Sequence, residues 1–137
     1  MSEEDKIRGE IYNEEAFKQP MLFSGMKYER NITPSDWDLF IDFGGKLFFY
    51  GEGKKKPNEL TDGQKYSIQH VCDSHEKAGN KSIGFMYWHE IEVPYPVYVK
   101  DQTVIKWYYN KKWKLIPEDK RPNVLNFIDA IRKWLKL

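Results

Sequence analysis

Cysteine is almost absent from this chain, which has a single one, Cys72, among 137 residues. One cysteine excludes an internal disulfide and fits the reducing environment of the cytoplasm. No apolar run approaches the roughly 20 residues that a membrane-spanning helix needs. The first ten residues, MSEEDKIRGE, also lack the chemistry of a signal peptide. We therefore expect a cytoplasmic protein with no membrane partner.

Zinc-binding motifs are missing as well. The chain has three histidines and one cysteine, and neither a CxxC nor an HExxH spacing occurs. On a helix, His70, Cys72 and His75 do not all share one face, so they do not form a ligand set. Cys72 has no evident base partner, which argues against a nucleophilic role. We interpret these side chains, and His89, as packed or solvated.

Repeats and low-complexity tracts are also lacking, whereas aromatic residues make up 16% of the chain. A folded globular protein is therefore expected. The 137 residues suffice for one domain with a single core and are few for two. We expect one domain over residues 1–137, with a core at about 31–89 and a C-terminal hairpin and helix at about 93–137.

The charge of the chain is unevenly distributed, although its net value is only +1. Residues 1–50 contain ten acids and six bases, whereas residues 100–137 contain ten bases and four acids. Such an asymmetry indicates that the C-terminal third offers a surface to a polyanion.

The stretch TPSDWDLFIDFGGKLFFYGEGK, residues 33–54, predicts a hairpin of two strands joined at Gly44-Gly45. Because residues two apart on a strand share one face, Glu52 and Lys54 lie side by side. The opposite parity gives each strand a buried row of apolar side chains. These rows are Leu39, Ile41 and Phe43 on the first strand and Leu47 and Phe49 on the second.

The length of the loop decides where Asp38 points. A two-residue turn at Gly44-Gly45 would place Asp38 and Glu52 on opposite faces of the hairpin. A three-residue loop, from residue 44 to residue 46, or a single bulge would set Asp38 directly opposite Glu52. Both devices are common, and glycine supplies the positive φ that they need. The sequence leaves both registers open.

In the second register, two carboxylates and the ammonium of Lys54 meet at one place. Two acids that close repel each other unless positive charge lies between them, and one lysine compensates only in part. Carboxylate oxygens suit Mg²⁺ or Mn²⁺, and Mg²⁺ usually takes one or two protein carboxylates together with water and substrate phosphate. We therefore predict a divalent-cation site at Asp38 and Glu52. The alternative is a solvated cluster of surface salt bridges.

Asp38, followed by Glu52-Gly53-Lys54, resembles the Asp…Glu-x-Lys signature of the PD-(D/E)xK, or restriction-endonuclease-like, nuclease superfamily. The stretch is most similar to small resolvase-like and phage-type nucleases. These share an acid before the first core strand, a glycine-rich hairpin, Glu-x-Lys, and a helix that opens with Gly-Gln, here Gly63-Gln64. The likeness covers about residues 31–89. Ser35-Asp36 stands where Pro-Asp would be, so Asp36 competes with Asp38 for the first position.

The resemblance implies a Mg²⁺- or Mn²⁺-dependent endonuclease that hydrolyses phosphodiester bonds in DNA, with branched or phage DNA as substrates. It implies that Asp38, Glu52 and the carbonyl of Gly53 hold the metal, and that Lys54 orients water and stabilises developing charge. Resolvase-type enzymes act as symmetric dimers on two-fold symmetric substrates, which favours a homodimer. Further candidates for the site are Asp36, Gln64 and one of Glu14 or Glu15.

Helices are predicted before and after the hairpin. One covers residues 2–18, and near its end Glu14 and Glu15 either reach the metal site or remain solvated. The other is capped by Thr61 or Asp62 and runs to about residue 78. Gln64, in its first turn, either hydrogen-bonds an acid, a water or a phosphate of the site, or serves only the helix end. Its apolar stripe, at helical spacing, is Ile68, Val71, Cys72 and His75.

The segment SIGFMYWH, residues 82–89, has the length and apolar character of a strand buried on both faces. A hairpin, a helix and a buried strand in this order imply a right-handed crossover that makes the third strand parallel to the second. The predicted fold class is therefore α/β, with a mixed central sheet flanked by helices. The resemblance further implies a restriction-endonuclease-like core.

The C-terminal third predicts a hairpin around Asn110-Lys111 and a helix from Val124 to Leu137. Its aromatic residues, which can stack on bases, alternate with lysines that can meet phosphates. In the alternative, the aromatic residues point inward and the lysines are solvated. The aromatic residues are Trp107, Tyr108, Tyr109 and Trp113, interleaved with Lys106, Lys111, Lys112 and Lys114. The DNA-binding candidates are Lys55, Lys56, Lys111, Lys112 and Lys114.

Two function classes other than a nuclease fit the same residues. One is a nucleic-acid- or protein-binding accessory protein, for example an anti-defence factor, with little or no catalysis on a nuclease-like fold. The other is a structural interaction module whose acids and lysine make solvated salt bridges. Binding of a divalent ion separates these classes from a nuclease.

Overall fold

A computed structural model describes residues 24–31, 37–90 and 98–137 of the chain. The chain divides into two compact units, Met1–Ser35 and Asp36–Leu137. In the first unit, the described residues include a 3₁₀ turn at Glu29–Asn31. The helix predicted for residues 2–18, with Glu14 and Glu15, lies outside the described residues. The single domain over residues 1–137 stays a prediction.

The second unit contains one five-stranded sheet in the order β1-β2-β3-β4-β5. Strands β2 and β3 are parallel, and the other three described pairs are antiparallel. The mixed α/β sheet predicted from the sequence is thereby confirmed. The elements are β1 (Leu39–Phe43), β2 (Leu47–Lys55), α1 (Asp62–Lys77), β3 (Lys81–His89), β4 (Thr103–Tyr109), β5 (Lys112–Leu115) and α2 (Val124–Leu135).

Helix α2 covers one face of the sheet, here called the α2 face. Apolar side chains at alternate positions of β2 and β3 meet the buried stripe of the helix there. Leu39, Ile41 and Phe43 of β1 pack against the same core, as the alternation predicts. The buried members include Leu47, Phe49, Ile83, Phe85, Phe127, Ile128 and Ile131.

Helix α1 covers the other face, called the α1 face. Thr61 is its N-cap, and the helix ends at Lys77 with Ala78 as C-cap, so the predicted boundaries are confirmed. Ile68 and Cys72 are the buried residues of its apolar stripe, and they pack against the sheet with Tyr50 and Tyr108. The two helices thus lie on opposite faces of one sheet.

Strand β3 lies between the two helical layers, and six consecutive residues, Ser82–Tyr87, are buried. Its parallel register with β2 pairs Phe49 with Ile83 and Gly51 with Phe85. Gly84 leaves the space that the Ile68 side chain occupies, because a Cβ at this position would collide with Cγ2 of Ile68. The close contact of α1 with the sheet therefore depends on a missing side chain in β3.

The C-terminal hairpin turns at Asn110 and Lys111, which have φ angles of 51° and 64°. Two consecutive residues with positive φ match the two-residue turns that twist with the strands, so the predicted hairpin is confirmed. Helix α2 begins after Asn123, whose side chain accepts a hydrogen bond from the Asn126 N–H. It ends at Leu135, two residues before the predicted end.

Among the described residues, neither α1 nor α2 has the length and apolar character needed to cross a membrane.

Gly84 allows a direct test of the contact between α1 and the sheet. We expect Gly84→Ala to lower the free energy of unfolding by roughly 1–3 kcal/mol, the usual effect of overpacking a core. Gly63→Ala is the matched control, since a Cβ there meets nothing within 4 Å. Its position in a helix makes it neutral or stabilising by up to ~1 kcal/mol. Urea unfolding measures both, and equal stability of the two variants would contradict the proposed packing.

Candidate functional site

The register of the first hairpin is the one that brings the two acids together. Phe43 pairs with Leu47 and Leu39 pairs with Gly51, so the loop has three residues. Continued by one residue beyond the start of β1, this register sets Asp38 opposite Glu52. Asp42 stabilises this loop, because its Oδ1 accepts a hydrogen bond of 2.6 Å from the Gly45 N–H. Of the two registers open from the sequence, the structure has the three-residue loop.

Asp38 is exposed just before β1, and its carboxylate is held by the segment that carries the Glu-x-Lys residues. Its Oδ2 accepts a hydrogen bond of 2.8 Å from the Gly53 N–H. Because the N–H and C=O of one strand residue point to the same side of the strand, the Gly53 carbonyl is on the side of β2 that faces β1. Asp38 and two backbone groups of Gly53 thus lie at one edge of β2.

Glu52 differs from Asp38 in its burial, since it is only 4% exposed. Tyr50, two residues earlier on the same side of β2, packs against the α1 face. Glu52 therefore lies on the α1 face, at the end of β2 where α1 begins. A carboxylate in such a low-dielectric place attracts a cation more strongly than one in water does.

Gly53 separates the two acidic residues from an aromatic ring on the α2 face. A Cβ at this position would lie 2.7 Å from Cε2 and 2.9 Å from Oη of Tyr87. The Tyr87 ring thus lies directly over the Gly53 backbone, and only glycine fits there. This contact explains why the middle residue of Glu-x-Lys is glycine.

The pKa of Tyr87 is affected by the charges of both acids. Burial, and then the negative charges of Asp38 and Glu52, raise the pKa of Tyr87 to about 12. The two carboxylates therefore act on one hydroxyl, in agreement with their placement opposite each other in the hairpin. Sequence reasoning missed Tyr87; the glycine between Glu52 and Lys54, paired with a buried strand, was the available signal.

Lys54 is half-buried on the same face as Glu52. In the parallel register it is paired with Trp88, and Trp88 is paired with Thr103 of β4. Directly paired residues carry their side chains on one face, so these three form a row across the sheet. Trp88, which the sequence did not single out, is thus the neighbour of the candidate lysine.

Gln64 lies at the start of α1, where the resemblance places it, and its amide oxygen serves the helix end. This oxygen accepts a hydrogen bond of 3.1 Å from the Thr61 N–H, while the Gln64 N–H donates to Thr61 Oγ1 at 3.2 Å. The two bonds form a capping box. This geometry favours the structural role of Gln64, and its role in catalysis stays a prediction.

Asp36, the competitor of Asp38, lies outside the described residues, as do Glu14 and Glu15. In the described part of the chain, no group of three or more His, Cys, Asp or Glu side chains is arranged to hold a metal. The donor set of Asp38, Glu52 and the Gly53 carbonyl still fits Mg²⁺, which usually takes one or two protein carboxylates.

The predicted DNA-binding lysines fall into two groups. Lys55 and Lys56 follow Lys54 at the same end of the sheet, and Lys56 Nζ makes a 3.0 Å ion pair with Glu90. Lys112 and Lys114 lie on the α2 face of β5, three strands and about 14 Å from β2. Lys111 forms the exposed turn before them. The structure therefore does not bring this second group to the acids.

Two aromatic residues of the C-terminal hairpin point inward. The Tyr108 hydroxyl donates a 2.8 Å hydrogen bond to Asp73 Oδ1, and the Trp113 indole N–H donates one of 2.9 Å to Gln69 Oε1. Both partners are on α1, so Tyr108 and Trp113 contribute to the packing of that helix. For these two residues the alternative with inward-pointing aromatic side chains is the one observed.

Two lysines of this hairpin have partners of their own. Lys106 Nζ lies 2.8 Å from Glu59 Oε2 and 5.5 Å from the ring centre of Trp113. Lys114 Nζ lies 5.0 Å from the ring centre of Trp107, a distance typical of a cation–π contact. The alternation of aromatic residues and lysines in the sequence is thus explained in part by contacts within the hairpin.

The pKa of Tyr87 provides a test of the site geometry. We expect Asp38→Asn to lower this pKa from about 12 while leaving it above the ordinary value of 10, because burial is the largest cause of the shift. Asp42→Asn is the control, since Asp42 raises the pKa of Tyr50 instead. An NMR titration of ring-labelled tyrosines, with the Tyr87 signal assigned from Tyr87→Phe, measures both. The same Tyr87 pKa in wild type and Asp38→Asn would contradict the arrangement.

Comparison with known proteins adds no relative to this picture. No protein-family model, no curated protein and no solved structure matches the chain. A functional assignment therefore depends on the geometry of Asp38, Glu52, Gly53 and Lys54, and on the short motif resemblance that these residues carry.

Proposed function

We propose that this protein is a metal-dependent nuclease of PD-(D/E)xK type that hydrolyses phosphodiester bonds in DNA. The observation that carries the proposal is the three-residue loop of the first hairpin, whose register, continued by one residue, sets Asp38 opposite Glu52. The hydrogen bond from the Gly53 N–H to Asp38 joins the two halves of the motif. A solvated cluster of salt bridges explains the exposed Asp38 but not the burial of Glu52.

Asp38, Glu52 and the carbonyl of Gly53 are the groups that hold Mg²⁺ or Mn²⁺ in this proposal. When bound, such a cation activates water and neutralises charge on the phosphate. Asp38, on the exposed side, faces the solvent from which a phosphate approaches. Glu52, on the buried side, gives the site a negative charge that water screens little. Asp38 is thus accessible to the phosphate, whereas Glu52 contributes more to the affinity for the cation.

Lys54 stabilises the negative charge that develops on the phosphate and orients the attacking water. Its position two residues after Glu52 places its ammonium on the face where the acids meet. Its half-buried stem limits its freedom, which makes the ammonium better oriented for one phosphate oxygen than a fully exposed lysine. Lys55 and Lys56 extend the positive charge along the same end of the sheet.

A nucleic-acid- or protein-binding accessory protein with little catalysis is the second candidate. Two observations favour it. The amide oxygen of Gln64 is engaged in the helix cap, and no group of three or more metal-binding side chains occurs among the described residues. A nuclease and such a binder predict the same DNA contacts and differ in cleavage.

Variants of Glu52 and Lys54 separate the two candidates. Glu52→Gln keeps the size of the side chain and removes its charge, so metal affinity and cleavage should fall together. Lys54→Ala should retain most metal binding and lower the cleavage rate by about a hundredfold to a thousandfold, as is typical for one electrostatic group. Calorimetry with Mn²⁺ and Mg²⁺-dependent cleavage of linear and four-way branched DNA measure the two quantities.

The controls for this experiment are Asp129→Asn and Lys77→Ala, which alter exposed charges on α2 and at the end of α1. Both should cleave at the wild-type rate. If the wild type cleaves none of the DNA forms, or if Glu52→Gln and Lys54→Ala cleave as fast as wild type, the nuclease proposal fails. The accessory binding protein then takes its place.

The salt dependence of DNA binding tests the two groups of lysines separately. Each lost phosphate contact should reduce the slope of log affinity against log salt by about 0.9, because fewer counterions are released. We expect Lys55→Ala with Lys56→Ala to reduce the slope by about 2. Lys111, Lys112 and Lys114, neutralised together, should reduce it by up to about 3. An unchanged slope in either variant would show that the lysines of that group do not contact phosphate. Fluorescence anisotropy with chelator present provides the affinities.

A further inference from the structure

A cleft of about 660 Å³ is lined by Trp88 and Lys56, at the end of the sheet where the candidate acids lie. Trp88 is paired with Lys54 across one strand spacing of about 4.8 Å. Both side chains are on the α1 face. The volume is in the range of small-molecule sites, which runs from about 300 to 1,000 Å³. The cleft and the site of the proposed function are thus direct neighbours.

The Trp88 ring in this cleft is held in a fixed orientation. Its indole N–H donates a 2.8 Å hydrogen bond to the carbonyl of Asn58, in the loop after β2. Arg121 is fixed beside it, because its Nε donates a 2.9 Å hydrogen bond to the Ile116 carbonyl. The guanidinium carbon of Arg121 lies 5.4 Å from the ring centre. Arg121 therefore contacts the Trp88 ring, and the two planar groups, each hydrogen-bonded to a backbone carbonyl, form one surface of the cleft.

The charges around Trp88 argue against a site for phosphate alone. Two cations, Lys56 and Arg121, are accompanied by two carboxylates, Glu90 and Glu118. Lys56 already makes a 3.0 Å ion pair with Glu90. A balanced lining of this kind suits a ligand that is itself neutral and planar and carries both hydrogen-bond donors and acceptors.

A nucleobase has these properties. One of its faces can stack on the surface that Trp88 and Arg121 form, and its edge carries amino groups that a carboxylate accepts and ring atoms that a hydroxyl or amide meets. Glu118, Thr103 and Gln102 line the cleft with these three kinds of group. Lys56 and Arg121 are near enough to the ring to meet the phosphates that flank a base. A base in a duplex is stacked and paired, so only an unpaired or extruded base can enter.

We propose that the cleft at Trp88 binds one unpaired nucleobase of the DNA strand whose phosphate lies at Asp38, Glu52 and Lys54. The inference rests on the proposed function, since that function supplies the strand. It makes the protein selective for DNA with an unpaired base beside the cut, as in single strands, bulges and branch points. A free nucleotide offers the same base and phosphate chemistry, so the test includes it as a separate probe.

The experiment uses DNA that carries 2-aminopurine, a fluorescent base that is quenched on stacking. Intrinsic fluorescence is unsuitable, because the chain has five tryptophans. The full chain is titrated into a single strand, a duplex with one bulged 2-aminopurine and a fully paired duplex, all with chelator so that nothing is cleaved. We expect quenching with the first two probes and none with the third.

Trp88→Leu should remove this quenching and weaken binding of the bulged duplex about tenfold, the effect of losing one stacked base. Trp134→Leu is the matched control, because Trp134 is 57% exposed on α2, away from the cleft, and its loss should leave quenching unchanged. Circular dichroism verifies that both variants fold. If Trp88→Leu does not fold, Glu118→Gln decides, since Glu118 is exposed and its loss should change the order of affinity among the four bases.

The outcomes separate this inference from the nuclease proposal. Quenching that persists in Trp88→Leu, that is absent in the wild type, or that is equal for the paired duplex overturns the base site. An unchanged order of affinity in Glu118→Gln overturns it as well. If 2-aminopurine nucleoside monophosphate at the same concentration is quenched equally, the ligand of the cleft is a free nucleotide rather than a base of DNA. Wild-type quenching without cleavage of any DNA refutes the nuclease and retains the base site.

Discussion

The three-residue loop between β1 and β2 is the constraint on which the rest of the site depends, because side chains alternate between faces along a strand. A shift of one residue would move every side chain of β1 to the opposite face. In the observed register, Leu39, Ile41 and Phe43 join the core under α2 while Asp38 is set opposite Glu52. Core formation and site formation therefore require the same register. The burial of three apolar side chains stabilises the placement of one acid.

Two glycines in the sheet allow neighbouring side chains to approach its backbone closely. Gly84 admits Ile68 of α1 on one face of the sheet, and Gly53 admits the Tyr87 ring on the other. The second contact brings a buried hydroxyl near two carboxylates, which raise its pKa together with burial. The middle position of Glu-x-Lys is thus glycine for a packing reason. Its backbone remains accessible to Asp38, and the motif and the core share this residue.

Much of the fold could be predicted because local signals and burial agree. Thr61, one of the two predicted caps, is the N-cap of α1, and the apolar run at 82–89 predicted a strand that is buried on both faces. The loop length after β1 could not be predicted, because Gly44 and Gly45 permit both registers. Here the packing of Leu39, Ile41 and Phe43 makes the choice, and that packing is a tertiary effect.

The candidate site was predicted less completely than the fold. Asp38, Glu52, Gly53 and Lys54 were singled out because the Asp…Glu-x-Lys motif joins them. Tyr87 and Trp88 were missed, since only the parallel register of β2 and β3 brings them beside that motif. The inward direction of Tyr108 and Trp113 was also undecided in the sequence. Their partners, Asp73 and Gln69, are on a helix more than thirty residues earlier.

The basic residues of the C-terminal third do not lie next to the candidate acids. The C-terminal third is basic, yet Lys106 and Lys114 are occupied by Glu59 and by the Trp107 ring. Lys112 and Lys114 also face α2, whereas Glu52 and Lys54 face α1. In the proposed function, a DNA strand bound at the acids would therefore meet Lys55, Lys56 and the cleft at Trp88 before it met the C-terminal hairpin. A count of lysines along the sequence cannot reveal this order, because it depends on which face of the sheet each strand presents.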